Sequence, residues 1–313
     1  MLHTSAGTRI DAAQHARDAA IHQLNADEPF HKPDWNARLG LRFEAQGSRT
    51  RMSVDTQEPP WKVLRAFEQS NGGALVHLHN VSGGILSGDR LSLRLHVGSG
   101  AVAQVTTTGA TRLYRHRELS SDSEQDLSIT VAEGGLLEYL PDALIPFRGS
   151  RHSQRTVVNL ADGATFFWWE TVAPGRQAMG ESFAFDRLQI QTEVRSHLRP
   201  VVLENFVLQP DVSSLRSASR MGEYSHTATF YAVQVGRPAA ELRQLESLLA
   251  EQAHAVSHPG VTIWGASALA ADGVVVRGLS ATARELSATL ARFWNTARQF
   301  LTGESPIPPR KLK

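Results

Sequence analysis

The sequence predicts a mainly β fold of stacked strand layers, a β-solenoid or β-helix-like sandwich, with a small helical part towards the C-terminus. Three observations carry this expectation. Alternating apolar and polar residues, as in Ala37-Arg38-Leu39-Gly40-Leu41-Arg42-Phe43, recur from Trp35 to about residue 236 with the period of two that a half-buried strand requires. A strand-turn-strand unit repeats at roughly thirty-residue spacing through the middle of the chain. After residue 240 the apolar period lengthens to that of an amphipathic helix.

Taken in order, residues 1–33 are polar and rich in Ala and His. Ile10, Ala13, Arg17 and Ile21 share a helical face too thin to dock, so this stretch reads as a flexible polar leader. A single β-rich domain is expected over 34–304. Its three repeat copies run Leu93 to Val105 through Gly98-Ser99-Gly100, Leu127 to Tyr139 through Gly134-Gly135, and Thr156 to Trp169 through Ala161-Asp162-Gly163. In each, glycine supplies the positive φ of a tight turn, and apolar faces of this kind are buried only by neighbouring copies. Further strands are expected at Arg187 to Val194, Pro200 to Phe206 and Thr227 to Val235. Helices are expected near 240–253, with Leu242, Leu245, Leu248 and Leu249 on one side, and near 281–301, opened by a Thr282/Glu285 capping box. Between them Asp272-Gly273 marks a hairpin turn. The Pro-rich stretch 305–313 cannot be helical and reads as an extended tail.

Composition narrows the function. With 313 residues and 41% hydrophobic content the chain can bury a large core. Thirty-two Lys and Arg against 31 Asp and Glu leave no surplus of basic charge for nucleic acid or an anionic membrane. The absence of Cys removes thiolate metal sites and thiol nucleophiles, and fits a reducing compartment. No apolar run reaches the ~20 residues that span a bilayer, and the N-terminus lacks the order of a signal peptide, so the expected location is cytoplasmic.

The richest segment is His77-Leu78-His79-Asn80-Val81-Ser82-Gly83-Gly84-Ile85-Leu86-Ser87-Gly88-Asp89-Arg90-Leu91, a strand entering a Gly-rich loop. Gly83, Gly84 and Gly88 are expected to permit bends or close chain approach, with Asp89 capping the turn and Arg90 leading out of it. No Lys-Ser/Thr pair follows and no helix opens behind it, which argues against a phosphate cradle. His77 and His79 project to one face of a strand and are the candidate metal ligands, although two imidazoles alone do not make a site. Leu137-Glu138-Tyr139-Leu140-Pro141-Asp142 and Phe167-Trp168-Trp169-Glu170 each place a carboxylate at the end of an aromatic strand, where burial raises a carboxyl pKa or demands a partner. Two such acids in a β-solenoid would also suit a carbohydrate hydrolase, which is the alternative reading. No nucleophile elbow, zinc-protease helix or nucleotide loop appears.

Read together, these loops resemble the UreD (UreH) family of urease accessory proteins, in the family's own order. The Gly-Gly…Gly-Asp-Arg-Leu loop is matched by Gly83, Gly84, Gly88, Asp89, Arg90 and Leu91, and the Thr-Thr-x-Gly-Ala-Thr-Lys-x-Tyr-Arg segment by Thr106 to Arg115 with Arg112 for Lys. Leu137-Glu138-Tyr139-Leu140-Pro141, Trp169-Glu170, Gly175-Arg176, Gly180-Glu181 and Pro308-Pro309-Arg310 follow. Two departures stand out: Val81-Ser82 replaces Pro-Pro, leaving a less rigid loop, and Asp142-Ala143 replaces Gln-Glu. The resemblance implies a non-enzymatic scaffold for nickel insertion that binds apo-urease and the accessory protein UreF, with the GTPase UreG engaged through UreF. It implies no tightly bound cofactor, only Ni²⁺ in transit through an internal polar tunnel. Asp89, Glu138, Asp142, Glu170 and Glu181 are the tunnel candidates that follow from it.

Overall fold

A computed structural model describes residues 36–309, all within one compact unit, Asp34–Lys313. The expected leader, residues 1–33, and the last four residues of the expected tail lie outside the described residues. Two sheets face each other. The first has seven strands in the spatial order β15 (Arg199–Leu208), β14 (Arg187–Ser196), β12 (Arg151–Leu160), β9 (Ser123–Val131), β6 (Arg90–Val97), β1 (Asn36–Gln46) and β2 (Arg49–Gln57). Its inner strands run parallel, and only the two edges are antiparallel.

The second sheet follows the order β17 (Thr262–Ala268), β18 (Gly273–Ser280), β16 (His226–Gln234), β13 (Thr165–Val172), β10 (Leu136–Leu140), β7 (Val102–Thr107), β5 (Ala74–Asn80) and β3 (Trp61–Lys62). Three short strands complete it: β4 (Ala66–Glu68) on β5, β8 (Thr111–Leu113) on β11, and β11 (Leu144–Pro146) on β13. The expected mainly β, stacked-layer architecture is what the chain forms.

The repeat units differ from hairpins in one respect. Within each copy the two strands do not pair with each other: β6, β9 and β12 stack in parallel in the first sheet, and β7, β10 and β13 in the second. The glycine turns are therefore arcs between layers. They stack as well, Gly100 N–H donating to Glu133 O and Gly134 N–H to Asp162 O, both at 3.0 Å. Gly100, Gly134 and Gly163 hold φ of 64°, 63° and 66°, the left-handed conformation that a Cβ would strain. An arc lets both strands of a copy turn their apolar sides towards one core, Leu93, Leu95 and Val97 facing Ala103 and Val105, as a flat hairpin cannot.

A second apolar layer lies on the far side of the second sheet. There Phe167, Phe230, Val274 and Val276 meet helix α1 (Ala239–Val256) and helix α2 (Ala283–Thr302), through Leu245, Leu249, Leu286, Leu290, Phe293 and Trp294. Thr282 caps α2 by accepting a hydrogen bond from Glu285 N–H, and Gly303 closes it with φ of 75°. Strands β17 and β18 pair antiparallel around Asp272-Gly273 as the turn signal requires. Residues 305–309 carry neither helix nor strand, and the Ile307 carbonyl accepts a hydrogen bond from Gln104 Nε2 at 2.9 Å, which pins the tail to the sheet.

Candidate functional site

The Gly-rich loop is braced from within. Asp89 is buried and its Oδ2 accepts from Leu86 N–H at 2.9 Å, closing the turn as expected. Gly83 and Gly88 have φ of 79° and 84°. A Cβ on Gly84 would stand 2.5 Å from the Arg112 carbonyl oxygen, so this glycine is required by the close approach of the Thr106 to Arg115 segment. Where the resemblance led to the expectation of a less rigid loop at Val81-Ser82, side chains stiffen it: Ser82 N–H donates to Asn80 Oδ1 and Asn80 Nδ2 to the Gly84 carbonyl, both at 3.0 Å. Arg90 is exposed and pairs with Glu124 at 3.5 Å.

Two cavities open between the sheets. The first, of 270 Å³, is lined by the Gly83-Gly84 loop, Thr107 to Arg112, Tyr139, Asp142, Gln154 and Glu170. The second, of 500 Å³, is lined by Glu170, Thr192, Glu204, Phe206, Tyr231, Ile263 and Arg277 among others. Glu170 is the wall common to both. It lies on the inner face because it shares the alternation of Phe166 and Trp168 along β13, both in the core between the sheets.

Gln154, reaching over from the first sheet, donates to Glu170 Oε2 at 2.7 Å. Enclosure pushes the Glu170 carboxyl up to about 7, with the Glu204 charge adding to the rise and the Gln154 hydrogen bond opposing it. Burial, helped by the Glu170 charge, likewise holds the Tyr139 hydroxyl protonated. Asp142 stands in the first cavity and exchanges hydrogen bonds with Thr107, whose hydroxyl donates to Oδ2 at 2.9 Å and accepts from the Asp142 N–H at 2.8 Å.

The other candidates lie elsewhere. Glu138 alternates with Leu137 and Tyr139 and so faces the helices. There it accepts from Gln104 Nε2 at 2.6 Å, Trp294 Nε1 at 3.0 Å and Arg298 Nε at 2.8 Å, with Glu138 and Arg298 only 3% and 2% exposed. Burial raises its pKa and Arg298 opposes the rise. Its carboxylate is consumed in anchoring α2. Since β13 aligns Phe167 with Glu138, Glu138 and Glu170 stand on opposite faces of one sheet. Of the acids that the hydrolase alternative offers, these two cannot flank one glycosidic bond.

Glu181 is buried against Arg176, whose Nε donates at 2.8 Å, and the Arg148 N–H donates to it at 3.2 Å. Arg176 holds its carboxyl below the ordinary range, and it staples a loop outside both cavities. His77 and His79 do share a face, but it is the one opposite Val76 and Leu78, which belong to the inter-sheet core. Burial lowers the His79 pKa. Among the described residues no three His, Cys, Asp or Glu side chains gather at metal-binding distance.

Sequence reasoning missed Glu204, Tyr231 and Arg277. Glu204 and Arg277 form an ion pair across the second cavity. Burial and the Glu204 carboxylate keep the Tyr231 hydroxyl protonated. A signal was present: Glu204 falls in the apolar phase of Val202, Phe206 and Leu208, and Arg277 in that of Val275 and Leu279. A charge in the apolar phase of a strand is aimed between the layers, and a partly desolvated one needs a partner there.

The model of the UreD urease accessory protein family matches residues 36–312. A urease accessory protein UreD of Herpetosiphon aurantiacus is 41% identical over 281 residues, covering 88% of this chain and 96% of the relative. Another, from Halalkalibacterium halodurans, is 30% identical over 88% of this chain and 98% of its own length. A third, from Cenarchaeum symbiosum, is 32% identical over 85% and 93%.

Proposed function

We propose, from the premise that this chain belongs to the UreD family of urease accessory proteins, that it is a non-enzymatic scaffold giving Ni²⁺ a path to apo-urease between its two sheets. A general role in urease maturation follows from membership. The finer reading rests on one observation above all: Glu170 is the wall common to both cavities, and among the described residues its carboxylate meets a single neutral donor, Gln154. A cation in transit has to be held by successive weak oxygen ligands, because a tight imidazole cluster would trap it. Asp142, Glu170 and Glu204 supply such oxygens in the first cavity, at the shared wall and in the second cavity.

In this reading UreF is the direct accessory partner, UreG is engaged through it, and nickel is cargo rather than a resident cofactor. Among the described residues no helix is long and apolar enough to cross a membrane. The test is a recombinant urease gene cluster expressed in nickel medium with and without this chain, scored by urease activity and nickel per active site. Loss of both without the chain, restored on adding it back, is the expected result. Full activity and full nickel in its absence would overturn the reading.

A further inference from the structure

Arg277 is placed where the alternation of its strand calls for an apolar side chain. On β18 it shares the inward phase of Val275 and Leu279, yet it carries a charge into the space between the sheets. Its partner, Glu204, comes from the other sheet, so the ion pair runs from layer to layer across the second cavity. Arg277 is 53% exposed at the side chain and Glu204 26%, and Phe206 and Ile263 beside them are also open to solvent, so the pair stands at the mouth rather than in the depth. Tyr231, Thr192, Thr229 and Glu170 line the same cavity, and the protonation of Glu170 already responds to the Glu204 charge.

We propose that Arg277 is a tethered counter-cation that closes the mouth of the second cavity, and that a divalent cation opens it by replacing the guanidinium on Glu204. This deepens the transit reading and rests on it for the identity of the cargo. The physical argument is one of exchange. The Arg277 end of the pair is more than half exposed, so releasing the guanidinium to water costs little. A doubly charged ion attracts Glu204 with twice the Coulomb energy of a guanidinium at the same distance, whereas Na⁺ or K⁺ gains nothing over the resident charge. Arg keeps its charge at every physiological pH, so the mouth responds to cations and not to protonation of the plug. The device selects for divalent ions without a tight site.

The experiment is Ni²⁺ binding to the purified full-length chain by titration calorimetry, with melting temperatures as a folding control. Arg277→Gln, which removes the competitor, should bind Ni²⁺ on the order of tenfold more tightly than the parent protein. Arg277→Lys keeps a cation in place and should retain the parental affinity. Glu204→Gln should bind more weakly than the parent, and the double variant should lose the gain. Unchanged affinity in Arg277→Gln, or an equal gain in Arg277→Lys, overturns the proposal. The two readings fail separately. Unchanged affinity, with urease activation still dependent on the chain, sinks the gate and spares the transit reading. Tighter binding in Arg277→Gln, with activation independent of the chain, does the reverse.

Discussion

Glu138 and Glu170 stand on neighbouring strands of one sheet and end up in opposite kinds of place. On the outer face Glu138 receives three donors, one of them the buried Arg298, and ties α2 to the sheet. On the inner face Glu170 receives one neutral donor and looks into two cavities. A carboxylate whose lone pairs are filled by fixed donors holds structure together, and one left facing space can take a ligand. That contrast separates an acid that anchors the fold from one that faces the cavities where their sequence contexts look alike.

Breaking the contrast on the Glu138 side should have the largest effect. Glu138→Ala leaves the buried Arg298 with only the exposed Glu304 carboxylate, at 3.4 Å, to meet its charge and should destabilise the fold by about 3 kcal/mol, read by denaturant unfolding. Trp294→Phe removes one donor and keeps most of the apolar contact, so a loss of about 1–3 kcal/mol is expected by the same measurement.

On the Glu170 side stability and function should part. Glu170→Gln should fold at least as well as the parent while urease activation falls by on the order of tenfold, the factor set by about 1.4 kcal/mol of lost cation attraction. Equal losses of stability and activation would erase the distinction. The same variant sharpens it through pH. This carboxyl ionises near its ordinary 4.5 in the unfolded chain and near 7 in the folded one, so between those values the native state holds the extra proton. Its contribution to stability is greatest below 4.5 and is lost as pH rises to 7, and Glu170→Gln should remove that slope. The smallest effect belongs to His79→Gln, on the face turned away from the cavities, which should change activation by less than about twofold, a difference under RT.

Much of the frame was legible because it is local. The recurring turns at Gly100, Gly134 and Gly163, the Thr282 cap and the Asp272-Gly273 turn each announce themselves within a few residues. The surroundings of the candidate acids were only half legible. Asp142 and Glu170 do meet in one cavity, but Asp89 and Glu181 are occupied in turns, and Glu138 belongs to the helix anchor. Glu204 and Arg277 escaped because neither sits in a motif, and their only mark was a charge in an apolar phase.

Strand character, rung spacing and the residues of a strand that share a face could be read from residue order, since a period of two needs no knowledge of what lies on either side. Residue order also carried the family. Tertiary structure alone decided which face became cavity and which became helix contact. Arg298 reaches Glu138 from 160 positions along the chain and Arg277 reaches Glu204 from 73. A carboxylate's role is set by which distant donors arrive beside it, and no local period records that.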